Sequence, residues 1–519
     1  HAMHFILAGH TQTIQMAGSH DGSVWLMKAI HRMFHSKDSR DAAPDATAVA
    51  ALTRTAAQTL TEQLAERFAA RIRDRLLAPG ARLPSVRQCA AQHGLNPSTV
   101  VAAYDQLLAQ GLVEARRNRG FFVRERAPLR DEVRAAASAP TAPRRAAPLS
   151  AATLIRGMFH PSGSLPQPGM GVLPPEWLES TFMPAAVRKV SGQKALAESS
   201  LRYGEPMGDG HLRRVLAARL QGIGLPADPA QIITTVGATH ALDIVSRTLL
   251  KAGDAVMVEE PGWAVEFARL DALGMRILPV PRGPAGPDLA VMARYCEVHA
   301  PKLFVSVSVL HNPTGYNLSP GSAHRVLQLA QQHDFHIVED DTYSHIAPEH
   351  ATRMSVLDGL QRTIYVSGFA KILAPNWRVG YLVAPPALTE RLLDTKLLAT
   401  LTTPSLLERA LAHCIESGQL RRHAERIRTR LDAARTRSVK LAQAAGCRFV
   451  AEPSGLFGWV DTGVDTEALA QRLLDEDYLI APGALFHAAR APSTLMRINF
   501  ATTQDAAFWK VFRRLAAAR

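Results

Sequence analysis

A single lysine, Lys371, lies in the mostly apolar segment SGFAKILAPNWRVGY (residues 367–381), and Arg378 follows it by seven positions. Lysine is usually a surface residue, so its place here is a candidate for chemistry. Burial and a neighbouring positive charge both lower the pKa of a lysine, and an amine that is neutral part of the time can attack an aldehyde. Lys371 is therefore a candidate nucleophile, and Arg378 is a candidate ligand for an anion in the same pocket.

Several other residues with binding chemistry follow apolar runs of the sequence. Gly237, Ala238 and Thr239 follow IITTV and open a helical stretch, whose N-terminal amides bind phosphate well. An aromatic ring, an amide, a carboxylate and a phenol follow the next runs: Trp263, Asn312, Asp340 and Tyr343.

Each of these residues has a structural explanation when it is taken alone. Lys371 then lies at the rim of the core, Asp340 caps a helix and Trp263 packs. Arg378 then forms a surface ion pair. Their joint occurrence at the ends of successive apolar runs favours one shared site.

The elements that must position these residues are alternating strands and helices. Amphipathic stretches such as ATHALDIVSRTLL separate most of the apolar runs, which indicates a mostly parallel sheet covered by helices on both faces. In such sheets a ligand binds beyond the carboxyl ends of the strands. Six strands are predicted, in QIITTV, AVMVEE, LFVSVSVL, FHIVED, TIYVSG and VGYLVA.

A second, basic module precedes the sheet. Apolar residues four apart in LTEQLAERFAARIRDRLL predict an amphipathic helix. Ser85 and Gly94 bound a short second helix, and Asn96, Pro97 and Gly111 are the start and stop signals of a third. Two apolar pieces around ARRNRG then predict a hairpin. Residues 54–126 contain twelve arginines and no lysine against six acidic residues, a net charge of +6.

This module resembles the GntR-type winged helix-turn-helix, on PGARLPSVRQCA and NPSTVVAAYDQLLAQGLVE. The resemblance implies binding to double-stranded DNA, with the second helix of the motif in the major groove. Many relatives carry arginine at the positions of Pro97 and Val101, and this chain does not. The residues that the resemblance directs to DNA are Arg87, Ser98, Thr99, Arg119 and Gly120.

The rest of the chain resembles fold-type I aminotransferases, which use pyridoxal 5′-phosphate. With the winged helix in front, residues 57–519 resemble the MocR-type regulators of the GntR superfamily. The motifs occur in the family's order, among them YGEPMGDGHLR, GATHALDI, HNPTG, VEDDTY, AKILAPNWRVGY and LMRINFA. The fold implied is a winged helix-turn-helix followed by an α/β aminotransferase-like domain with a smaller α/β C-terminal subdomain.

The resemblance also implies a role for each residue. Lys371 forms the Schiff base with the cofactor, and Asp340 pairs with its ring nitrogen. Arg497 in LMRINFA binds the carboxylate of an effector or substrate. The remaining cofactor-binding residues are Tyr343 and Asn312 at the ring oxygen, Trp263 on the ring face, Ala238, Thr239 and Arg378 at the phosphate, and Tyr203 reaching a phosphate across a homodimer interface.

One departure from the family concerns the phosphate site. Relatives carry hydroxyl residues three and one positions before the lysine, where this chain has Gly368 and Ala370. Ser367 is four before it and should point to the opposite side of its strand. Each lost charge-assisted hydrogen bond costs about 1.5–3 kcal/mol if no other group replaces it. This favours a sensor over an efficient catalyst.

The bulk sequence sets the domain organisation. The 519 residues divide into a loose leader (1–56), the winged helix (57–125), an Ala/Pro/Arg-rich linker (126–150) and the aminotransferase-like domain (151–519). No apolar run reaches the roughly 18 residues of a membrane helix, and no secretion signal is present. Four widely spaced cysteines indicate neither a metal site nor disulfides, so a cytoplasmic protein is expected.

Three functions remain open. The first is a transcription regulator that senses an amino compound through external aldimine formation at Lys371. The second is a working aminotransferase with an appended DNA-binding domain, which the complete residue set supports. The third is an architectural DNA-binding protein whose second domain serves only dimerisation, and the intact cofactor residues count against it.

Overall fold

The computed structural model describes residues 4–7, 10–13, 58–73, 77, 79–116, 119–124, 167–192, 194, 201–348 and 350–517. The chain separates into two units, residues 1–48 and 49–519. In the first unit, strands β1 (His4–Leu7) and β2 (His10–Thr13) pair in antiparallel fashion. The predicted linker lies outside the described residues, as does the rest of the predicted leader.

The basic module has the predicted helices and hairpin. Its elements are α1 (Leu60–Arg73), α2 (Val86–His93), α3 (Pro97–Ala109), β3 (Val113–Arg116) and β4 (Gly120–Val123). Ser85 and Gln88 form a capping box at α2, and Gly94 ends the helix with φ of 62°. The side chain of Asn96 accepts the Ser98 amide at the start of α3. The helix boundaries predicted from these residues are confirmed.

Buried aromatic rings join the three parts of this module. Tyr104 on α3 makes edge contacts with Phe68 on α1 and Phe121 on β4, at centroid distances of 5.6 and 4.9 Å. Its hydroxyl donates to the carbonyl of Pro84, before α2. A buried tyrosine whose hydroxyl is satisfied stabilises such a core by packing and by its hydrogen bond. These contacts fix the position of α3 relative to the hairpin.

The second domain is built on a seven-stranded sheet. Its strands are β5 (Ile232–Thr235), β6 (Ala255–Glu260), β7 (Arg276–Pro281), β8 (Leu303–Ser306), β9 (His336–Asp340), β10 (Thr363–Gly368) and β11 (Gly380–Val383). The order is β5-β11-β10-β9-β8-β6-β7, and only β11 runs antiparallel to its neighbours. The mostly parallel sheet is confirmed, and β7 is a strand that the sequence analysis missed. Its two prolines argue against a strand, but an edge strand tolerates them.

Helices cover the sheet and lead into a second, smaller sheet. Among the described residues, no helix is long and apolar enough to cross a membrane. The helices are α4 (Pro175–Leu178), α5 (Phe182–Val190), α6 (Gly210–Gln221), α7 (Ala238–Leu249), α8 (Ala264–Ala272), α9 (Leu289–His299), α10 (Pro320–His333), α11 (Met354–Asp358), α12 (Pro386–Thr400), α13 (Ser405–Glu416), α14 (Gln419–Ala444), α15 (Thr466–Asp475) and α16 (Ala506–Ala517).

The smaller sheet is antiparallel and follows the long helix α14. It consists of β12 (Arg448–Phe449), β13 (Phe457–Asp461), β14 (Ala481–Pro482) and β15 (Leu495–Asn499), in the order β12-β13-β15-β14. The central strand β15 carries Arg497. The predicted smaller C-terminal subdomain is present. Strand β15 of its sheet places Arg497 close enough to Lys371 for the two charges to interact.

Candidate functional site

Lys371 lies in the turn that follows β10. Its amine donates a 2.6 Å hydrogen bond to the carbonyl of Gly171. Burial, and after it the positive charge of Arg497, lower the pKa of Lys371 from 10.5 to about 8, with a smaller contribution from Arg378 and an opposing one from Asp340. A substantial fraction of the amine is therefore neutral near pH 8, as a nucleophilic lysine requires.

Asp340 and Tyr343 leave the neighbouring strand β9 toward the same pocket. Burial raises the pKa of Asp340 from 3.8 to about 6, against hydrogen bonds from the hydroxyl and amide of Thr342. Burial also raises the pKa of the Tyr343 phenol, while Arg497 opposes the rise. The Tyr343 ring packs edge-on against Phe457 at 5.7 Å. The pocket thus holds a carboxylate and a neutral phenol in fixed positions.

Arg497 is the best-held cation of the pocket. Its guanidinium donates to Asn312 Oδ1 at 3.0 Å and to the Gly169 carbonyl at 2.6 Å. The rings of Phe457 and Phe486 flank it, with centroids 4.4 and 5.1 Å from its central carbon. Burial lowers its pKa to about 10. The guanidinium has five N–H donors and two of them make these hydrogen bonds, so donors remain for a ligand. The buried Nε has no hydrogen-bond partner among the described residues.

The other cation, Arg378, lies beside the start of α7. It donates to the Val236 carbonyl at 2.9 Å. Gly237 has φ of 81°, and a Cβ placed there would come within 2.5 Å of the Arg378 guanidinium. Only glycine permits this approach. The guanidinium therefore lies beside the start of α7, where the amides of Ala238 and Thr239 have no partner within the helix, in an arrangement suited to a phosphate.

One of the two positions that lack hydroxyl groups, Gly368, adjoins this arrangement. A Cβ at Gly368 would lie 3.5 Å from the Ala238 amide nitrogen, an ordinary contact distance. The Ser367 hydroxyl points away, as predicted, and donates to the Asp341 carbonyl at 2.9 Å. Neither Gly368 nor Ala370 has a hydroxyl group, so these two positions provide no side-chain hydrogen bond to the anion site.

Trp263 and Tyr203 stand apart from the charged cluster. Trp263 is partly buried at the start of α8, after the cis peptide bond between Glu260 and Pro261. Tyr203 is 81% exposed. Within the described part of the chain, neither side chain makes a hydrogen bond to Lys371, Asp340 or Arg497. Trp263 lies at the expected edge of the sheet, and Tyr203 faces solvent.

Sequence analysis missed the backbone acceptors and rings that hold the two key cations. Gly169 and Gly171 contribute only carbonyl groups, so their residue type carries no signal. Phe457 and Phe486 look like ordinary core residues. The motif LMRINFA identified Arg497, but only the folded chain brings these partners to it.

The residues predicted to face DNA are exposed or partly exposed in the winged-helix domain. Arg87 on α2 and Ser98 in the first turn of α3 are exposed, and Thr99 is half-buried. Arg119 is exposed in the hairpin, and Gly120 opens β4 with φ of 101°. The sequence analysis missed one basic neighbour, Arg82.

Arg82 extends the basic surface of the hairpin. Its backbone forms an isolated antiparallel β-bridge with Phe122. A Cβ placed at Gly120 would lie 3.4 Å from the side-chain Nε of Arg82. Arg116 lies over the Phe122 ring, 4.5 Å from its centroid. These arginines make the hairpin a positively charged surface suited to phosphate contacts.

The winged-helix domain contacts the aminotransferase-like domain through α1. Arg67 and Arg71 pair with the carboxylate of Asp477, and Arg71 also donates to the Leu474 carbonyl at 2.8 Å. Burial lowers the pKa of Arg71 to about 10. Asp477 follows α15, which packs beside the sheet that carries Arg497. This contact physically links the two domains.

Comparison with known families assigns both domains. The family model of aminotransferase class I and II matches residues 175–515, and that of the bacterial regulatory proteins, gntR family, matches residues 60–123. The chain belongs to the aminotransferase class I and II family and carries a gntR-family domain in front. The MocR-type architecture indicated by the sequence motifs is confirmed.

Similar proteins include regulators and enzymes. The chain is 25% identical to the uncharacterized HTH-type transcriptional regulator YisV of Bacillus subtilis, over 82% of this chain and 90% of that protein. It is 27% identical to the uncharacterized HTH-type regulator YdcR of Escherichia coli, over 85% and 94%. It is also 28% identical to the 2-aminoadipate transaminase of Thermus thermophilus, over 70% and 90%.

A solved structure matches the second domain. The alpha-aminoadipate aminotransferase LysN of Thermus thermophilus, crystallised with N-(5′-phosphopyridoxyl)-L-leucine, aligns with a TM-score of 0.63 and 26% identity. The match covers 70% of this chain and 94% of that one. The fold-type I aminotransferase fold is therefore confirmed for the second domain.

Proposed function

We propose that this protein is a pyridoxal phosphate-dependent transcription regulator, which binds double-stranded DNA through its winged helix and senses an amino compound at Lys371. The supporting observation is the presence, in one chain, of an exposed basic winged helix and a pocket that holds a lysine of depressed pKa beside Asp340 and Arg497. Since the proposed partner is DNA, the proposed location is the cytoplasm.

The residues present fit the cofactor. The gap that Gly237 leaves beside Arg378, together with the amides at the start of α7, suits a phosphate group. Asp340 is assigned to the ring nitrogen, and Tyr343 and Asn312 are assigned to the ring oxygen. Trp263 is assigned to the ring face. When bound, pyridoxal phosphate supplies an aldehyde that condenses with amines, and its protonated ring accepts electron density.

Lys371 keeps its amine available for that condensation. Desolvation disfavours the ammonium form, and the positive charge of Arg497 acts in the same direction. The Gly171 carbonyl accepts one amine hydrogen and so holds the end of the side chain in the pocket. Asp340 limits the fall in the lysine pKa, which keeps the group able to give and take protons near neutral pH.

Arg497 is assigned to the carboxylate of the effector. A guanidinium that is planar and held by two acceptors presents its remaining N–H donors in fixed directions. Its flanking rings exclude water, so the interaction with a carboxylate is stronger than at the surface. The proposed effector is therefore an amino acid, with an amine directed to Lys371 and a carboxylate directed to Arg497.

The winged helix is assigned to the operator. Arg87, Arg119 and the neighbouring Arg82 are exposed and are free to contact phosphates, and the first turn of α3 is directed to the major groove. The effector alters DNA affinity only if it binds one domain arrangement more tightly than another. The contact of Arg67 and Arg71 with Asp477 is the proposed link that differs between the arrangements.

A homodimer completes the proposed assembly. Tyr203 and Leu201 are both 81% exposed, and Leu398 is 91% exposed, an unusual state for large apolar side chains. Tyr203 is assigned to the cofactor phosphate of the partner subunit. Sedimentation of the holo-protein tests this, because the proposal requires a dimer. In a separate measurement, Tyr203→Ser should lower the affinity for the cofactor. A micromolar monomer that retains cofactor would contradict it.

The test of the regulatory function joins two measurements on the purified holo-protein. Fluorescence anisotropy measures affinity for operator DNA while a panel of amino acids is added, and absorbance reports which amino acid enters the pocket. One amino acid is expected to change both. With 2-oxoglutarate as acceptor, turnover should stay below the ordinary enzyme range of about 1 per second.

The same measurements distinguish the second candidate, a working aminotransferase. Its support is the complete set of lysine, aspartate, tyrosine and carboxylate-binding arginine in the pocket. Turnover at about 1 per second or faster, together with DNA affinity indifferent to the amino acid, would establish that candidate instead.

A further inference from the structure

A second concave site lies near the strands β9 and β10, which precede Tyr343 and Lys371. It is a cavity of about 920 Å³ between α6, residues 344–348 and the start of α14. Five arginines line it, and we call it the arginine cavity: Arg214, Arg219, Arg353, Arg421 and Arg428. Small-molecule sites usually measure about 300–1,000 Å³, so its size suits an organic ligand.

The positive charge of the arginine cavity is only partly neutralised. Arg353 pairs with the buried Asp341 at 2.5 Å, and Arg421 pairs with Glu425 at 3.3 Å. Glu416, the acidic residue among the described lining, lies 3.0 Å from His211. In the described ranges, the other three arginines make no ion pair with a carboxylate: Arg214, Arg219 and Arg428.

A histidine holds one of these arginines in place. Arg219 donates to His345 Nδ1 at 2.9 Å. Burial, and then the charge of Arg219, keep the pKa of His345 well below its usual 6.5. The imidazole is therefore a neutral acceptor, which orients the guanidinium without cancelling its charge. A fixed guanidinium in a concavity, with no direct carboxylate partner among the described residues, is an anion-binding arrangement.

The wall of the arginine cavity is continuous with the cofactor pocket. Ser344 and His345 line the cavity directly after Tyr343. Ser344 approaches Ser367 at 3.4 Å on β10, the strand before Lys371. Arg353 holds Asp341, which is adjacent to Asp340. A ligand in the cavity therefore contacts the same segments that set the position of the cofactor groups.

We propose that the arginine cavity is a second effector site, separate from the cofactor pocket, for a small organic polyanion with at least two phosphate or carboxylate groups. Arg214 and Arg219 lie on α6 and Arg428 lies on α14, so such an anion joins the large domain to the helix that leads into the smaller sheet. Aliphatic side chains of Val215, Ile223 and Leu420 accommodate its carbon skeleton.

Calorimetric titration of the full-length holo-protein tests the proposal, with inorganic pyrophosphate, adenosine 5′-diphosphate and citrate as probes. Saturable binding of at least one probe is expected. Arg219→Gln and Arg428→Gln should each weaken binding about tenfold or more, because each removes a charged donor. Arg437→Gln is the matched control, since Arg437 is exposed on the same helix outside the cavity lining.

The relative affinities identify the ligand class. Preference for pyrophosphate and the nucleotide indicates phosphoryl groups, and preference for citrate indicates carboxylates; either supports the proposal. The probes should still bind to the Lys371→Ala protein, so failure of the cofactor proposal and failure of this one are distinguishable. Loss of binding in Arg87→Gln would instead assign the anion to the DNA surface and overturn the proposal.

A measurement on the unaltered protein covers the case in which a variant does not fold. Phenylglyoxal modifies accessible arginines, and mass spectrometry identifies each modified position. The bound probe should protect Arg219 and Arg428 but not Arg437. Unprotected cavity arginines, or no saturable binding below about 1 mM for any probe, would overturn the proposal.

Discussion

The candidate cofactor pocket and the predicted DNA-facing surface use positive charge in opposite ways. Lys371 and Arg497 in the pocket are buried or half-buried, have lowered pKa values, and each donates to a named carbonyl. Arg87 and Arg119 on the winged helix are exposed, with no such fixed acceptor among the described residues. A buried cation acts through its exact partners, whereas exposed cations act together through their number.

This difference predicts how each region responds to substitution. Removal of one side chain from the pocket is expected to abolish the contact that this side chain makes, because no neighbouring group can replace a directed hydrogen bond. Removal of one surface arginine lowers DNA affinity by one phosphate contact. The following experiments are ordered from the largest expected effect to the smallest.

The largest effect is expected for Lys371→Ala. The variant loses the only amine at this position, so borohydride treatment should leave no pyridoxyl group attached to the protein. Peptide mass mapping of the unaltered protein should find that group on Lys371. Lys251→Ala, on an exposed lysine of the same domain, is the control and should retain full attachment. Attachment at another lysine would refute the assignment.

A tenfold effect is expected from pH. With a pKa of about 8, the neutral fraction of the Lys371 amine rises from about one tenth at pH 7 to about nine tenths at pH 9. The rate of covalent cofactor capture by the apo-protein should therefore rise about tenfold and level off above pH 9. An ordinary lysine of pKa 10.5 would give a rise of about a hundredfold without a plateau, which stopped-flow absorbance distinguishes.

The two regions also differ in how far the sequence predicted them. The helix boundaries of the winged helix follow from residues close together in the chain, such as Ser85 with Gln88 and Asn96 with Ser98. The resemblance to the GntR-type motifs then predicted that these helices bind DNA. Local rules suffice there because each cap is satisfied within one turn.

The pocket depended on contacts between distant segments. Lys371 donates to Gly171, which is 200 residues away in sequence, and Arg497 donates to Gly169, 328 residues away. A backbone carbonyl has no sequence signature, so these acceptors were unpredictable. Strand β7 was missed for a related reason, because only its edge position permits Pro279 and Pro281. The strand-end residues themselves were predicted, since a parallel sheet collects them at one edge.

A smaller effect is expected on the DNA-facing surface. Arg87→Gln and Arg119→Gln should each weaken operator binding by about fivefold to tenfold and reduce the salt slope by about one. Arg73→Gln is the matched control, because Arg73 is exposed in the same domain but pairs with Glu66 at 2.8 Å. Fluorescence anisotropy at several salt concentrations gives both quantities. A salt slope unchanged by the double substitution would remove these arginines from the interface.

The smallest effect, and the one that refines the comparison, is expected for Ala370→Ser. The family resemblance implies a hydroxyl at this position, and Gly368, two residues before it, adjoins the Ala238 amide at the anion site. Because Arg378 and the α7 amides are already assigned to the phosphate, one restored hydrogen bond is expected to contribute about 1 kcal/mol net rather than the roughly 1.5–3 kcal/mol of a bond that no group replaces, so cofactor dissociation should slow about fivefold. Ala374→Ser, in the same loop, is the control and should leave the rate unchanged. If Ala370→Ser also leaves it unchanged, the phosphate is held fully by Arg378 and the α7 amides, and the missing hydroxyls do not explain a sensor.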